Sequence, residues 1–381
     1  MKMKKVFISG TGLMTPQQGI SNEELVKAFN EYVDRYNQIH QSEIRAGELA
    51  RLEHSSEAFI KKASGITHRY VLNKSGILDA SLMQPVLDER KDSEISYQAE
   101  MSLTAAHEAL DRARVQPHTI DQVIVACSNF ERPYPAIAIE IQQEIGAQGS
   151  AYDMNVACSS ATFAIQNAVA TLQAGLAKRI LVVNPEICSG HLEFRDRDCH
   201  FIFGDAATAM VLESEDALDF DAHQNRSRIF EVLSTQLQTS FSNSIRNNSG
   251  FLDRTYDSAS DQRSKLFRQE GRKVFKEVVP MVSQHIIQHL EKVGLQPEQL
   301  SRMWLHQANL NMNQLIAKKI LGREATPEEA PIILDEYANT SSAGSIIAFH
   351  SHQDNLKKDE VGIISSFGAG YSVGSILVKR C

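Results

Sequence analysis

Apolar residues along this chain cluster in short unbroken runs rather than alternating with polar ones. Residues 123–126, 180–183 and 362–365 are such runs, the pattern of strands covered on both faces by helices. Helical segments are expected around residues 101–114 and 279–293, and each leads into a Gln-Pro turn followed by an apolar run. The repeated order helix, loop, strand makes the class α/β.

The two helix-loop-strand units are copies. Val115-Gln-Pro-His-Thr-Ile-Asp-Gln-Val-Ile-Val-Ala-Cys-Ser-Asn129 aligns without gaps on Leu295-Gln-Pro-Glu-Gln-Leu-Ser-Arg-Met-Trp-Leu-His-Gln-Ala-Asn309, an offset of 180 (295 minus 115). Val156-Ala-Cys-Ser-Ser-Ala and Ala338-Asn-Thr-Ser-Ser-Ala repeat at 182, each ahead of an apolar helix. Phe203-Gly204 and Phe367-Gly368 form a weaker echo at 164. We expect two α/β halves, residues 1–215 and 225–381, layered around a pseudo-twofold axis with sites between them. Residues 221–249, rich in Ser, Asn and Gln, suit a crossover with exposed loops, and polar stretches near 32–56 and 73–93 read as insertions.

Composition narrows the function. At 381 residues and 42% hydrophobic content the chain can bury two cores or one fused core. A net charge of -8, with basic residues dispersed, gives no footprint for nucleic acid. The apolar start is too short for a signal-peptide core or a membrane span, so a cytoplasmic protein is expected. The Gly-rich turns lack both nucleotide-binding patterns, and five scattered cysteines with no C-x-x-C pair support neither a disulfide framework nor a metal site.

One cysteine stands out by context. Cys158 lies where a strand-like approach, Tyr152-Asp-Met-Asn-Val-Ala, ends and an Ala-rich helix begins. Unpaired N–H groups and the helix dipole there favour an anion, so a lowered thiol pKa is expected. Small neighbours leave room for a substrate chain. Cys127 ends a strand too, but no small-residue helix follows it.

A thiol nucleophile acting on thioesters needs a base or donor and N–H groups aimed at the oxyanion. His306 ends a strand in the second half, and Asn339 starts a helix at the duplicated position almost opposite Cys158. Singly, such a His is commonly structural and such an Asn commonly a cap. Their placement at duplicated sites favours a shared role.

These residues resemble the β-ketoacyl-acyl-carrier-protein synthase III family of the thiolase-like fold. The motifs are 153–161 around Cys158, Phe203-Gly-Asp-Ala206, His306-Gln-Ala-Asn309, Asn339-Thr-Ser-Ser-Ala343 and Phe367-Gly-Ala-Gly370, in the family's order. The resemblance implies two duplicated α/β halves in a layered αβαβα arrangement. It implies an acyltransferase of fatty acid biosynthesis: Cys158 takes an acyl group from acyl-CoA, and malonyl-acyl-carrier protein then condenses with it while losing carbon dioxide. Catalytic Cys158, His306 and Asn339 follow from it, with backbone N–H groups of Cys158 and Ala369 as the oxyanion hole. Phe367 would line the malonyl side, and Tyr134, in Arg132-Pro-Tyr-Pro-Ala, would reach into the acyl pocket of a homodimer partner. No cofactor or metal is implied, coenzyme A entering as part of a substrate.

The chain departs from the family at Asn311, where an Arg that helps dock the carrier is frequent; Lys318, Lys319 and Arg323 are the nearby alternatives. The insertions make acetyl-CoA an unsafe assumption as primer. Two rival readings are a relative that makes a secondary metabolite, polyketide or signal molecule, and a non-catalytic acyl-binding or scaffold subunit. Retention of Cys158, His306 and Asn339 speaks against the second, and the absence of a second Cys in the 367–370 turn speaks against a degradative thiolase.

Overall fold

The protein was analysed as a computed structural model that describes residues 3–219, 228–256 and 262–381. Five strands of the first half are β1 (Val6–Met14), β4 (Gln122–Ala126), β5 (Ser150–Met154), β6 (Arg179–Ile187) and β7 (Asp205–Ser214). Four of the second are β8 (Phe230–Ser242), β11 (Leu300–Leu305), β12 (Val361–Gly368) and β13 (Gly370–Arg380). All nine join one sheet in the order β11-β12-β13-β8-β1-β7-β6-β4-β5. Read outward from the antiparallel β1–β8 pair, the two sides repeat one strand order: β1, β7, β6, β4, β5 against β8, β13, β12, β11. The place of β5 is unfilled in the second half, where Met303 N–H donates to Glu329 O at 2.7 Å instead of to a ladder.

Helices cover both outer faces and fill the middle. α4 (Tyr97–Ala113) and α5 (Ile137–Ile145) bury their apolar stripes on β4, β6 and β7. α7 (Gly271–Lys292) and α8 (Leu310–Leu321) do the same on β11, β12 and β13. Between the halves lie α6 (Ser160–Gln173) and α10 (Ala343–Ser351), whose Ala and Ile faces pack on strands of both. The result is the αβαβα layering. α10 is buried from Ala343 to Phe349, whereas α6 buries its Ala, Ile, Val and Leu face and keeps Asn167 and Ala170 exposed.

A cap stands over the ends of the central helices. It comprises α1 (Asn22–Ile39), opened by a Ser21–Glu24 capping box, α2 (Gln41–Ala46), α3 (Glu57–Ser64), α9 (Leu334–Tyr337) and the small sheets β2–β3 (Gln18–Ser21, His68–Val71) and β9–β10 (Ile245–Arg246, Arg268–Gln269). The first insertion is ordered by α1: Asn30 and Asn37 each exchange a donor and an acceptor with the returning backbone at Ser55 and Leu52. Buried Ile77, Ala80 and Met83 pin the second.

The expected exposed loops at 221–249 are not what the described part shows. Residues 221–227 lie outside the described residues, and most of the rest is β8. Its pairing explains the misleading composition: β1 covers only Phe230–Val232, whereas β13 pairs along its whole length. Ladder hydrogen bonds come from the backbone, so the outlying residues form a strand while keeping polar side chains in water.

Candidate active site

Each half supplies one sharp turn before its central helix, and the two turns have the same backbone. Ala157 and Ser341 both sit at positive φ, 47° and 48°. Asn155 Oδ1 accepts from Ala157 N–H (2.9 Å), and Asn339 Oδ1 accepts from Ser341 N–H (2.9 Å). Ser159 N–H donates to Val156 O as Ala343 N–H does to Thr340 O. These matches fix the true offset at 184 (339 minus 155), not 182. The residue equivalent to Cys158 is Ser342, and that equivalent to Asn339 is Asn155, so the duplication does not by itself set Asn339 opposite the sulfur.

The fold nevertheless brings three predicted side chains together. Cys158, His306 and Asn339 line one cavity of about 450 Å³, with Phe367 and Gly368. Cys158 precedes α6, partly exposed to this space. His306 follows β11, held by its N–H to Ser365 O (2.8 Å), and is 2% exposed. The Phe367 ring meets the His306 ring edge-on, centroids 5.1 Å apart. Asn339 is anchored across the halves, donating its N–H to Ile202 O (2.9 Å) and accepting Gly204 N–H (3.2 Å). With Oδ1 engaged by Ser341, its amide nitrogen is the end left to donate.

Two glycines make the approach of the halves possible. A Cβ on Gly368 would fall 2.7 Å from Cys158 Cβ, and one on Gly204 would fall 2.4 Å from Tyr337 O, beside the Asn339 turn. Each half thus presses a glycine onto the other's turn, which gives the weaker Phe-Gly echo a physical meaning. Ala369 lies outside both ladders of β12–β13 and β13–β8. Its carbonyl accepts from the Ser372 hydroxyl (3.0 Å), which also donates to Ser159 Oγ (2.9 Å), tying the Ala369 turn to the residue after Cys158.

Cys158 also opens onto a second cavity of about 460 Å³, whose lining includes Ala157, Ser341, Ala369 and His191. Phe203, Ile245 and Phe267 border both spaces. The sulfur therefore sits at a junction. Neither insertion lends a residue to these cavities, whereas Ala63 and Ser64 of α3 line the first. Tyr134 is elsewhere, 79% exposed and in neither cavity of this chain.

The electrostatics overturn the expected thiol. Burial raises the Cys158 pKa to about 11, helped by the charge of Glu186, while the Ser341 hydroxyl beside the sulfur pulls the other way. Loss of hydration outweighs the helix end, so the resting group is a thiol. Burial lowers His306 to about 4, a hydrogen bond with the Ser341 main chain opposing it. The imidazole is neutral, and its Nδ1 has no hydrogen-bond partner. A neutral base lining the same cavity as a thiol can take its proton as the sulfur attacks.

Sequence reasoning missed Ser341, whose N–H holds Asn339 Oδ1, whose main chain opposes the lowering of the His306 pKa and whose hydroxyl opposes the raising of the Cys158 pKa. It stood inside a quoted motif, but its role depends on a positive φ that side-chain identity does not reveal. It also missed Arg272, among the described residues the one charged side chain lining the first cavity. The cations expected to replace an Arg at Asn311 are partly engaged: Lys318 pairs with Glu324 (2.6 Å) and Arg323 with Glu329 (2.5 Å). Among the described residues no helix is long and apolar enough to cross a membrane.

Comparison with known proteins shows the family. Residues 152–227 match the family described as 3-oxoacyl-[acyl-carrier-protein (ACP)] synthase III, and residues 290–380 match its C-terminal part. The β-ketodecanoyl-[acyl-carrier-protein] synthase of Pseudomonas aeruginosa is 57% identical over 93% of this chain and all of its own length. A β-ketoacyl-[acyl-carrier-protein] synthase III of Rhizobium meliloti is 30% identical, covering 85% of this chain and 91% of its own. The crystal structure of 3-oxoacyl-[acyl-carrier-protein] synthase III from Aquifex aeolicus superposes with a TM-score of 0.74 at 24% identity, over 98% of this chain and 99% of that one.

Proposed function

Because this chain belongs to the 3-oxoacyl-[acyl-carrier-protein] synthase III family, we propose that its two cavities divide a two-stage condensation at Cys158. The protein is a β-ketoacyl-ACP synthase III-type acyltransferase of fatty acid biosynthesis, using acyl-CoA and malonyl-acyl-carrier protein. The observation that carries the division is the position of the sulfur at the junction, with His306 and Asn339 on one side and Ala369 on the other.

In the first stage Cys158 attacks the acyl-CoA carbonyl, the carbon–sulfur bond to coenzyme A breaks, and neutral His306 relays the thiol proton to the departing thiolate. The N–H groups of Cys158 and Ala369 bind the oxyanion. In the second stage the malonyl carboxylate leaves as carbon dioxide, and its bonding electrons form an enolate. Asn339 Nδ2 and the His306 ring donate to the enolate oxygen more strongly than to the original carbonyl, which favours the transition state. The enolate carbon attacks the acyl-enzyme carbonyl, and the Cys158 sulfur leaves as a thiolate that takes up one proton from solvent to restore the thiol. Phe367 shields the malonyl side.

The carrier's arm enters through the first cavity past Arg272, whose guanidinium faces the arm's phosphate and takes the place of an Arg at position 311. The acyl chain lies in the second cavity, closed by Tyr134 of a second copy in a homodimer. A medium-chain primer fits the relative from Pseudomonas aeruginosa, whose named product is a β-ketodecanoyl group; the primer is two carbons shorter, an octanoyl group. We place the enzyme in the cytoplasm and assign it no resident cofactor. Intact-mass measurement after exposure to a series of acyl-CoAs tests the reading, with a single octanoyl adduct lost in Cys158→Ala as the expected result. No adduct from any acyl-CoA would overturn it.

A further inference from the structure

The turns that carry Cys158 and Asn339 are held in unfavourable backbone conformations, with Ala157, Ala338 and Ser341 at φ of 47°, 55° and 48°. A non-glycine residue in such a conformation persists only when its surroundings dictate it. One buried carboxylate restrains both turns. Glu186, near the end of β6 and 1% exposed, accepts from Ser128 N–H (3.0 Å) and the Ser128 hydroxyl (2.6 Å). It also accepts from Ser342 N–H (3.1 Å) and the Ser342 hydroxyl.

Each donor leads to one turn. Ser342 closes the Asn339 turn and caps α10. Ser128 O accepts from Asn155 Nδ2 (2.8 Å), and Asn155 Oδ1 accepts from Ala157 N–H (2.9 Å), immediately before the nucleophile. An unbroken path thus runs Ala157, Asn155, Ser128, Glu186, Ser342. Glu186 lines neither cavity that reaches Cys158, and among the described residues no cation pairs with it. Burying a carboxylate without a counter-ion is costly, and the four serine donors compensate it together with the Cys188 thiol, 3.8 Å from Oε2.

Resting on the function proposed above, we infer that Glu186 is a positioning residue: its carboxylate sets the separation between the Cys158 turn and the Asn339 turn at which the acyl carbon and the enolate meet. Glu186→Gln keeps the size but removes the charge and sets an amide N–H₂ where Oε2 accepts from the Ser128 hydroxyl and the Cys188 thiol, and Glu186→Asp keeps the charge but withdraws it by one methylene.

The test uses the full-length enzyme with octanoyl-CoA and malonyl-acyl-carrier protein. Active sites are counted by Cys158 acylation. In both variants kcat per acylatable site falls roughly tenfold or more, because small misplacements of reacting groups carry penalties of that order. KM for the carrier stays within about twofold, since Glu186 is outside the entry cavity. A purely structural role would lower the yield of acylatable sites and leave kcat per site unchanged, and that result in either folded variant overturns the inference. If neither variant folds, Ser128→Ala with Ser342→Ala removes two of the four donors and is read in the same way. A wild-type enzyme that acylates but forms no β-ketoacyl product would instead overturn the function proposed above.

Discussion

The backbone N–H of Ser341 donates to Asn339 Oδ1 at 2.9 Å, and this bond decides which end of the carboxamide meets the substrate. Asn339→Asp keeps the acceptor for Ser341 but replaces the donor with an anion facing the enolate oxygen. Condensation from preformed acyl-enzyme should fall by about 10²–10³, the usual loss on removing one such donor. Acylation of Cys158 should change by no more than a few-fold, since Asn339 acts in the second stage. Single-turnover measurement of each stage checks this, and equal losses in both would refute the division of labour.

The thiol and imidazole make opposite demands on pH. With Cys158 near 11 and His306 near 4, the thiolate is a minor species throughout the neutral range. Alkylation of Cys158 by iodoacetamide should rise roughly tenfold per pH unit from pH 7 to 10 without a plateau. Acyl-enzyme formation should show no titration near pH 6.5, because the imidazole is already unprotonated there. A plateau in alkylation below pH 8 would restore the lowered thiol expected from the helix end.

That expectation shows where sequence reading reaches its limit. The strands at 123–126, 180–183 and 362–365 were legible because burial on both faces leaves an unbroken apolar run. Cys158 and Asn339 were legible because each stands in a copied turn ahead of an apolar helix, and His306 because it ends a copied strand. The sign of the Cys158 shift was not, since it depends on how completely the cap and the second half dehydrate the sulfur. The register of the duplicated turns was off by two because identical Ser-Ser-Ala letters outweighed backbone shape; Asn155 and Asn339 are the equivalent pair. Glu186 left one trace, a charge inside an otherwise buried strand.

Gly204 and Gly368 yield a paired prediction. A methyl at 368 meets Cys158 Cβ at 2.7 Å and Cys158 N at 3.1 Å, so the nucleophile's turn must move. One at 204 meets Tyr337 O at 2.4 Å, so the Asn339 turn must move. Each substitution to Ala should cost about 1–3 kcal/mol in stability. Gly368→Ala should impair acylation first, whereas Gly204→Ala should spare acylation and impair condensation. Thermal denaturation and the two half-reactions separate these outcomes.

Glu186 also predicts a pH-dependent stability. Burial raises its pKa to about 7, against the pull of the serine donors. An acid whose folded pKa is raised binds its proton more tightly when folded, so the stability it contributes is complete below about pH 4.5 and lost as pH rises through 7. The shift corresponds to roughly 3 kcal/mol. Glu186→Gln cannot ionise, so its stability relative to wild type should improve by about that amount between pH 4.5 and pH 8. Denaturant midpoints at the two pH values measure it, and a constant difference would mean that Glu186 stays ionised.

The proposed entry of the carrier's arm makes Arg272 the contact to test. It is exposed at the start of α7, lines the cavity that holds Cys158, and has no ion-pair partner among the described residues. A phosphate reaching this mouth would meet the Arg272 guanidinium, whereas Lys318 and Arg323 are already paired with Glu324 and Glu329. Arg272→Ala should raise KM for malonyl-acyl-carrier protein by about tenfold, the loss of one charge-assisted contact, with kcat per site unchanged because the reacting atoms lie at the far end of the arm. The wild-type KM should rise with added salt, and the variant's should rise less, since screening acts only on the charge that remains. Lys318→Ala serves as the control. Were it to raise KM as much as Arg272→Ala does, docking would lie on α8 and not at the cavity mouth.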